Sequence, residues 1–262
     1  MRIERDVPLA KLTTIGTGGP ARAFAQPATR AELEDALRWA DAEGLPVAVV
    51  GLGSNLLAAD GGVDALVLKL TGELAAVEVE GDLLRAGGVW MNAGAYGSDW
   101  SEILVRALVV TADGVGWLTP AELGLSYRHS DLRHGQVVAQ VEYRLRPRPE
   151  EEIKAEVADL IARRKATQPT NKRTFGSVFK NPEHELGAGR MLESCGLKGH
   201  TIGGARISPL HANFIENAGG ATTADALALM AEARRRAWEA YGVELRHEVE
   251  LLGEIAVPPL AR

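Results

Sequence analysis

Apolar and polar positions alternate along this chain in two rhythms. Between residues 30 and 44, Leu33, Ala36, Leu37 and Ala40 recur at the spacing of one helix face, and Gly44 supplies the stop. Short apolar runs flank this helix: Ala23-Phe24-Ala25 before it, then Pro46 to Gly51 (PVAVVG) and Val63 to Leu70 (VDALVLKL) after it. The order is strand, helix, strand, strand, with a glycine loop between the last two. Residues 75 to 87 predict a hairpin turning at Gly81-Asp82, and 136 to 145 alternate well enough for a long strand. The run RPRPEEE (146 to 152) breaks that strand. A helical stretch from 153 to 166 follows, then a loop ending in Gln168-Pro169-Thr170, and a mixed region with a helix over 189 to 195. The strongest helix signal covers Thr223 to Tyr241, opening on a threonine cap, with Ala224, Leu227, Leu229, Met230 and Ala233 on one broad face. There is no internal repeat and no low-complexity tract.

The 262 residues, 46% hydrophobic and 24% charged, describe a globular protein of one large or two small domains. A chain of this length removes roughly three quarters of its unfolded surface from water and needs no disulfides. A net charge of −6 argues against a nucleic-acid surface, which needs concentrated Lys and Arg, but leaves small anions open. No apolar run approaches the roughly 18 residues of a membrane span, and the first residues (MRIERDVPLAKLTT) are too charged for a signal peptide, so a cytoplasmic location without membrane contact is expected. The single cysteine, Cys195, suits a reducing compartment and reads as a buried structural thiol on a helix face. The Arg234-Arg235-Arg236 run reads as a solvated surface near a helix C-terminus, where positive charge suits the dipole.

Glycine changes the picture. There are 29, and seven of them fall in three clusters: TTIGTGGP (13 to 20), GLGSNLL (51 to 57) and MNAGAYG (91 to 97). The second cluster follows a strand as a dinucleotide fingerprint would, but Leu56 stands at its sixth position and no amphipathic helix follows. A P-loop is excluded, since no Gly-Lys-Ser/Thr occurs. A phosphate nest survives: consecutive backbone N–H groups, with Ser54 and Asn55, converging on an anion without a lysine; ordinary tight turns are the alternative. The six histidines show no metal spacing, so no metal site is expected, and no G-x-S-x-G elbow is present. In the second half, TFGSVFKNP (174 to 182) and 196 to 214, which ends in His211-Ala212-Asn213-Phe214, are too polar and glycine-bound to be mere core. SYRHS (126 to 130) and Glu248 join them.

Taken together, TTIGTGGPAR (13 to 22), VVGLGSNLL (49 to 57), MNAGAYG (91 to 97), SYRHSDLR (126 to 133), QPT and GSVFKNP (168 to 182), LGAGRMLESCGLKG with GGARISPLHANFI (186 to 215), and LRHEVELLG (245 to 253) run in one order over almost the whole chain. That combination resembles the UDP-N-acetylenolpyruvoylglucosamine reductase family, flavoenzymes of peptidoglycan precursor synthesis. The resemblance implies an α+β fold: a two-lobed FAD-binding domain of the vanillyl-alcohol-oxidase type over 1 to 148 (lobes about 1 to 60 and 61 to 148), a linker helix over 149 to 166, a substrate domain over 167 to 242 and a return segment over 243 to 262. The implied reaction is NADPH-dependent reduction of UDP-N-acetylglucosamine enolpyruvate to UDP-N-acetylmuramate through noncovalent FAD. Relatives that tether the flavin do so through His or Cys, and neither occurs here before His129.

Carried over by motif, the cofactor residues are Thr14, Gly18, Gly51, Leu52, Gly53, Ser54, Asn55, Leu56, Asn92, Ala93, Gly94 and Gly97. Ser177 is the implied proton donor, with Arg128 and Glu248 flanking the reacting group, and Tyr127, Arg128, Lys180, Asn181 and His211 are the implied substrate contacts. Hydride arriving at the vinyl carbon leaves negative charge beside the carboxylate. An arginine and a protonated glutamate can stabilise that charge, while a serine held in near-attack geometry can protonate the carbon. A monomer is the default. Two departures stand out: family members carry a longer stretch, with an Ile-Pro-Gly-x-x-Gly-Gly-like turn, where LLRAGG (83 to 88) here runs almost directly into 91 to 97, and no tyrosine-bearing insertion is found, which points to the compact class. Another FAD oxidoreductase of the same fold and a flavin-free nucleotide-sugar binding module remain as alternatives.

Overall fold

The computed structural model describes residues 1–87, 94–95 and 98–260. The chain divides into two compact units: Met1–Val7, Ala21–Gly51 and Asp64–Arg148 form the first, and Pro8–Pro20, Leu52–Val63 and Pro149–Arg262 the second. The first two glycine-rich segments thus fold largely with the C-terminal half of the chain.

In the first unit, helix α1 (Arg30–Ala42) starts where the Thr29 hydroxyl accepts the Glu32 N–H. It buries Leu33, Ala36, Leu37 and Ala40, the face the spacing predicts. These side chains pack with Ala23, Ala25, Leu66 and Leu68 of a sheet ordered Ile3–Glu4, Pro20–Ala25, Val63–Leu68, Val47–Val49. A second sheet is antiparallel throughout, in the order Val115–Leu118, Leu104–Val110, Val137–Arg144, Leu83–Gly87, Val77–Glu80. Its last two strands are the hairpin expected over 75 to 87, with Gly81 at φ +62° in the turn. In its centre Glu142 is buried and accepts from Arg106 Nε at 2.6 Å and Arg85 Nε at 3.1 Å. The two guanidinium groups hold its carboxyl below the ordinary range despite burial. Arg106 in turn lies 4.1 Å from the centre of the Trp117 ring.

The second unit is built on a four-stranded antiparallel sheet ordered Thr174–Ser177, Phe214–Asn217, Ala205–Ile207, Thr201–Ile202. Helix α2 (Glu150–Thr167) precedes it with no buried residue. Helices α3 (Ala188–Ser194) and α4 (Thr223–Tyr241) share its core, in which Phe175, Phe179, Met191 and Leu229 are buried. The buried stripe of α4 is Ala226, Leu229, Met230, Ala233 and Ala237; of the predicted face, Leu229, Met230 and Ala233 are buried, Leu227 packs half-buried against the core, and Ala224 is exposed. The helix start is tied down as well. Asp60 accepts the N–H groups of Thr223 and Ala224, both at 2.9 Å, which fixes the first turn against another segment.

Two further expectations are corrected. Cys195 is half-buried, its thiol 3.7 Å from the Arg236 carbonyl, because it ends α3 instead of lying on its inner face. Arg234 is not solvated like its neighbours: its side chain is only 12% exposed and donates to Glu244 and to the Pro258 carbonyl.

Candidate active site

The segment Leu52–Asn55 leads into the strand Leu56–Ala58, not into a helix, so the dinucleotide fingerprint, against which Leu56 already spoke, is ruled out by the structure. Gly53 sits at φ +68°, and a Cβ there would lie 1.9 Å from the Leu12 carbonyl oxygen, so only glycine fits. Among the described residues, the backbone N–H groups of Leu52, Gly53, Ser54 and Asn55 meet no protein acceptor. Ser54 is exposed and Asn55 half-buried. Four successive donors without partners at the end of a tight turn are the makings of an anion nest.

Thr14 fastens this loop to the sheet. Its N–H donates to the Gly53 carbonyl at 3.0 Å, and its hydroxyl reaches the carbonyls of both Gly53 and Thr174. The hydroxyl is therefore occupied within the protein, and Thr14 acts on the loop by holding it. Gly18 has a packing reason of its own: at φ +113°, a Cβ would meet that of Ala58 at 2.8 Å. Leu56 is a buried strand residue, whereas Leu52 is 87% exposed beside the loop.

Thr174 begins the strand that ends on Ser177. Thr174 pairs with Glu216 and Ser177 with Phe214, so three steps on one strand face two on the other. The extra residue is a bulge, and Gly176 at φ +80° makes it possible, its missing Cβ pointing at the Ser54 carbonyl 2.9 Å away. A bulge re-aims the side chains beside it, and Ser177 comes next. Beyond the bulge, Val178 accepts the Glu248 N–H at 2.8 Å, and Lys180 donates to the Arg246 carbonyl at 2.9 Å. Phe179 and His247 form an antiparallel bridge. Ser177 and Glu248 therefore lie on neighbouring backbone segments, both half-buried. Asn55 completes the frame by donating from Nδ2 to the Glu248 carbonyl.

Asn213, which motif reading passed over as a site residue, locks this corner. Buried to 5% exposure, it donates from Nδ2 to the Phe179 carbonyl at 2.8 Å and accepts the Phe179 N–H at 2.9 Å, while its own carbonyl takes the Val178 N–H. The available signal was an amide in the apolar run Ala212 to Ile215. His211 accepts the Asn213 N–H on Nδ1 at 3.2 Å, which places its remaining proton on Nε2. Burial, with Lys198 nearby, pushes His211 below its ordinary value, so at neutral pH it offers an uncharged donor. Asn181 is exposed and its Oδ1 accepts the Ala188 N–H at the start of α3, which leaves its NH2 group as the end for a ligand.

The remaining predicted residues fall elsewhere. Tyr127 and Arg128 belong to the first unit, in a turn closed between Ser126 and His129. Arg128 has φ +54°, a left-handed conformation costly for a side chain with a Cβ, and its guanidinium lies 5.0 Å from the centre of the Tyr127 ring. Asn92, Ala93 and Gly97 lie outside the described residues, and Gly94 is described only as the start of the strand Gly94–Ala95. A cavity of about 640 Å³ in the first unit, lined by Thr29, Arg30, Glu73, Arg85 and Gln140 among others, contains none of the predicted site residues. Among the described residues no three His, Cys, Asp or Glu gather as a metal site would require, and no helix is long and apolar enough to cross a membrane.

Comparison with known proteins matches residues 21–87 to the FAD binding domain family and residues 168–252 to the C-terminal domain of UDP-N-acetylenolpyruvoylglucosamine reductase. A reductase of that name from Anaeromyxobacter dehalogenans strain 2CP-C is 40% identical, over 98% of this chain and 88% of its own length. A second, from Symbiobacterium thermophilum, is 38% identical over 96% and 92%. The first alignment spans 289 positions against 262 residues, so that relative holds residues with no counterpart here, and the FAD-domain match stops at residue 87. The crystal structure of UDP-N-acetylenolpyruvylglucosamine reductase from Thermus caldophilus superposes with a TM-score of 0.81 at 33% identity, covering 96% of this chain and 99% of that one. With matches of this identity and extent to whole reductases, the chain belongs to the UDP-N-acetylenolpyruvoylglucosamine reductase family of FAD-dependent oxidoreductases.

Proposed function

We propose that the protein reduces UDP-N-acetylglucosamine enolpyruvate to UDP-N-acetylmuramate with NADPH, in the cytoplasm, as a step of peptidoglycan precursor synthesis. The observation that carries this reading is the bulge that delivers Ser177 beside the Glu248 segment, with the glycine loop bound to both strands. The loop suits FAD: its amides, which meet no protein acceptor among the described residues, fit a pyrophosphate, with Ser54 adding a hydroxyl, while Gly53 and Gly176 let the loop pack closely against Leu12 and the Thr174–Ser177 strand. When bound, FAD would supply the transfer of hydride from NADPH to the enolpyruvyl vinyl carbon.

This chain's residues then answer for charge and proton. Reduction at the vinyl carbon leaves an enolate on the neighbouring carbon and its carboxylate. Arg128 neutralises that charge, and Glu248 flanks the reacting group beside it. Ser177 gives its proton to the carbon, a transfer that requires the hydroxyl to be held close, as the bulge allows. Lys180, Asn181 and His211 contact the nucleotide sugar, His211 as a neutral donor through Nε2.

The test is to bleach the yellow protein with NADPH without oxygen and then add UDP-N-acetylglucosamine enolpyruvate. Rapid return of colour is expected. No return until oxygen is admitted would make the protein an oxidase, and colourless protein that cannot be loaded with FAD would make it a binding module.

A further inference from the structure

Asn55 stands at the junction of the glycine loop and a parallel strand pair. Leu56–Ala58 pairs with Glu250–Leu252, Glu250 donating to the Asn55 carbonyl at 3.0 Å and Ala59 to the Leu252 carbonyl at 2.9 Å. In a parallel ladder every second residue bonds to both neighbours of its partner. One step back along this ladder, the Glu248 carbonyl is due to receive the backbone N–H of Asn55. It receives the Asn55 side chain instead, Nδ2 to oxygen at 3.2 Å. The backbone N–H of Asn55 is left without a protein acceptor among the described residues, as the last of the four loop donors. The other side of the same residue is fixed too, because the Glu248 N–H donates to Val178, the neighbour of Ser177.

The geometry points to Asn55 as a positioning residue for Glu248: its carboxamide takes the ladder bond that the loop amide would fill, pinning the Glu248 peptide while leaving the amide free for the anion. This rests on the reading above, in which Glu248 serves the reduction. Asn55 thereby links cofactor loop and acid in one side chain. A cradle residue alone would need neither a ladder position nor a contact with the Glu248 carbonyl.

Three measurements on Asn55→Ala test it, with Asn55→Ser as a milder variant should alanine loosen the whole loop. In flavin-free protein, amide hydrogen exchange over 246 to 250 should quicken. In the loaded enzyme at saturating FAD, reoxidation by the enolpyruvyl substrate should slow about 100-fold, the scale of a misplaced catalytic group, a larger loss than that in bleaching by NADPH. In a Glu248→Gln background the same substitution should cost little more, since the residue it positions is already disabled. Equal losses in both half-reactions, full additivity with Glu248→Gln, or unchanged exchange would each overturn the proposal. If the wild type itself fails to regain colour with the enolpyruvyl substrate, the proposed reaction falls, and the exchange comparison in flavin-free protein still decides whether Asn55 holds the Glu248 segment.

Discussion

Ser177 and Arg128 are held in opposite ways. Ser177 is set by a bulge between hydrogen-bonded strands, backed by the buried Asn213 and by Thr14 on the neighbouring loop. Arg128 stands in a short turn closed by Ser126 and His129, in a backbone conformation that works against its own side chain. The difference follows the chemistry. A proton donor of low acidity is useful only at a fixed place, whereas a charge acts over several ångströms and tolerates a looser seat. On the serine side, structure carries the function and its loss should appear in stability as well as rate. On the arginine side the two should separate.

Loss of the arginine charge tests that separation. Arg128→Gly removes the charge and suits φ +54°, so reoxidation by the enolpyruvyl substrate should fall by about 10²–10³-fold, while unfolding free energy rises by about 1 kcal/mol. Stopped-flow kinetics and urea melts on one preparation check both. A fall in stability would mean that the arginine holds its turn together. Asn213→Ala should show the opposite coupling: two buried backbone groups of Phe179 lose their partners, lowering stability by about 3 kcal/mol, and turnover should fall with it because Val178 and Ser177 lose their backing. Asp60→Ala removes the carboxylate that accepts two N–H groups at the start of α4 and should cost about 1–2 kcal/mol in the melt without changing the ratio of the half-reactions.

The smallest effect is a pH dependence in the first unit. Arg106 and Arg85 hold Glu142 below the ordinary carboxylate value, so its contribution is complete above about pH 4.3 and is lost as pH falls through the lower folded value. With Arg106 partly exposed it amounts to about 1 kcal/mol. Melts of wild type and Glu142→Gln should differ at pH 7 and converge in acid.

Helix α1 was legible because its apolar spacing and terminal glycine agree, and the hairpin over 75 to 87 because Gly81 marks its turn. The hairpin of Leu104–Val110 and Val115–Leu118 went unread: register shifts between Leu104 and Arg106 and between Leu108 and Val109 break the alternation, and the exposed Arg106 pairs with a carboxylate on another strand, Glu142. On α4 only Ala224 was misread, and the bond from its first turn to Asp60, 163 positions from Thr223, could not be read at all. The site divides similarly. Gly176-Ser177 announced itself as a glycine-bound polar motif, and the structure supplies the bulge behind it. The loop could be read as a nest, but the Asn55 bond to a carbonyl 193 residues distant could not, since nothing local encodes it. Long-range tertiary partners, invisible in local pattern, account for each miss.

The most direct test of the account is to compare the two half-reactions of Ser177→Ala with those of the wild type, without oxygen. Bleaching by NADPH should proceed at a near-normal rate, while return of colour with the enolpyruvyl substrate slows by about 10²–10⁴-fold, the range for loss of a proton donor. Equal slowing of both steps would contradict the account and make Ser177 a residue that positions the flavin.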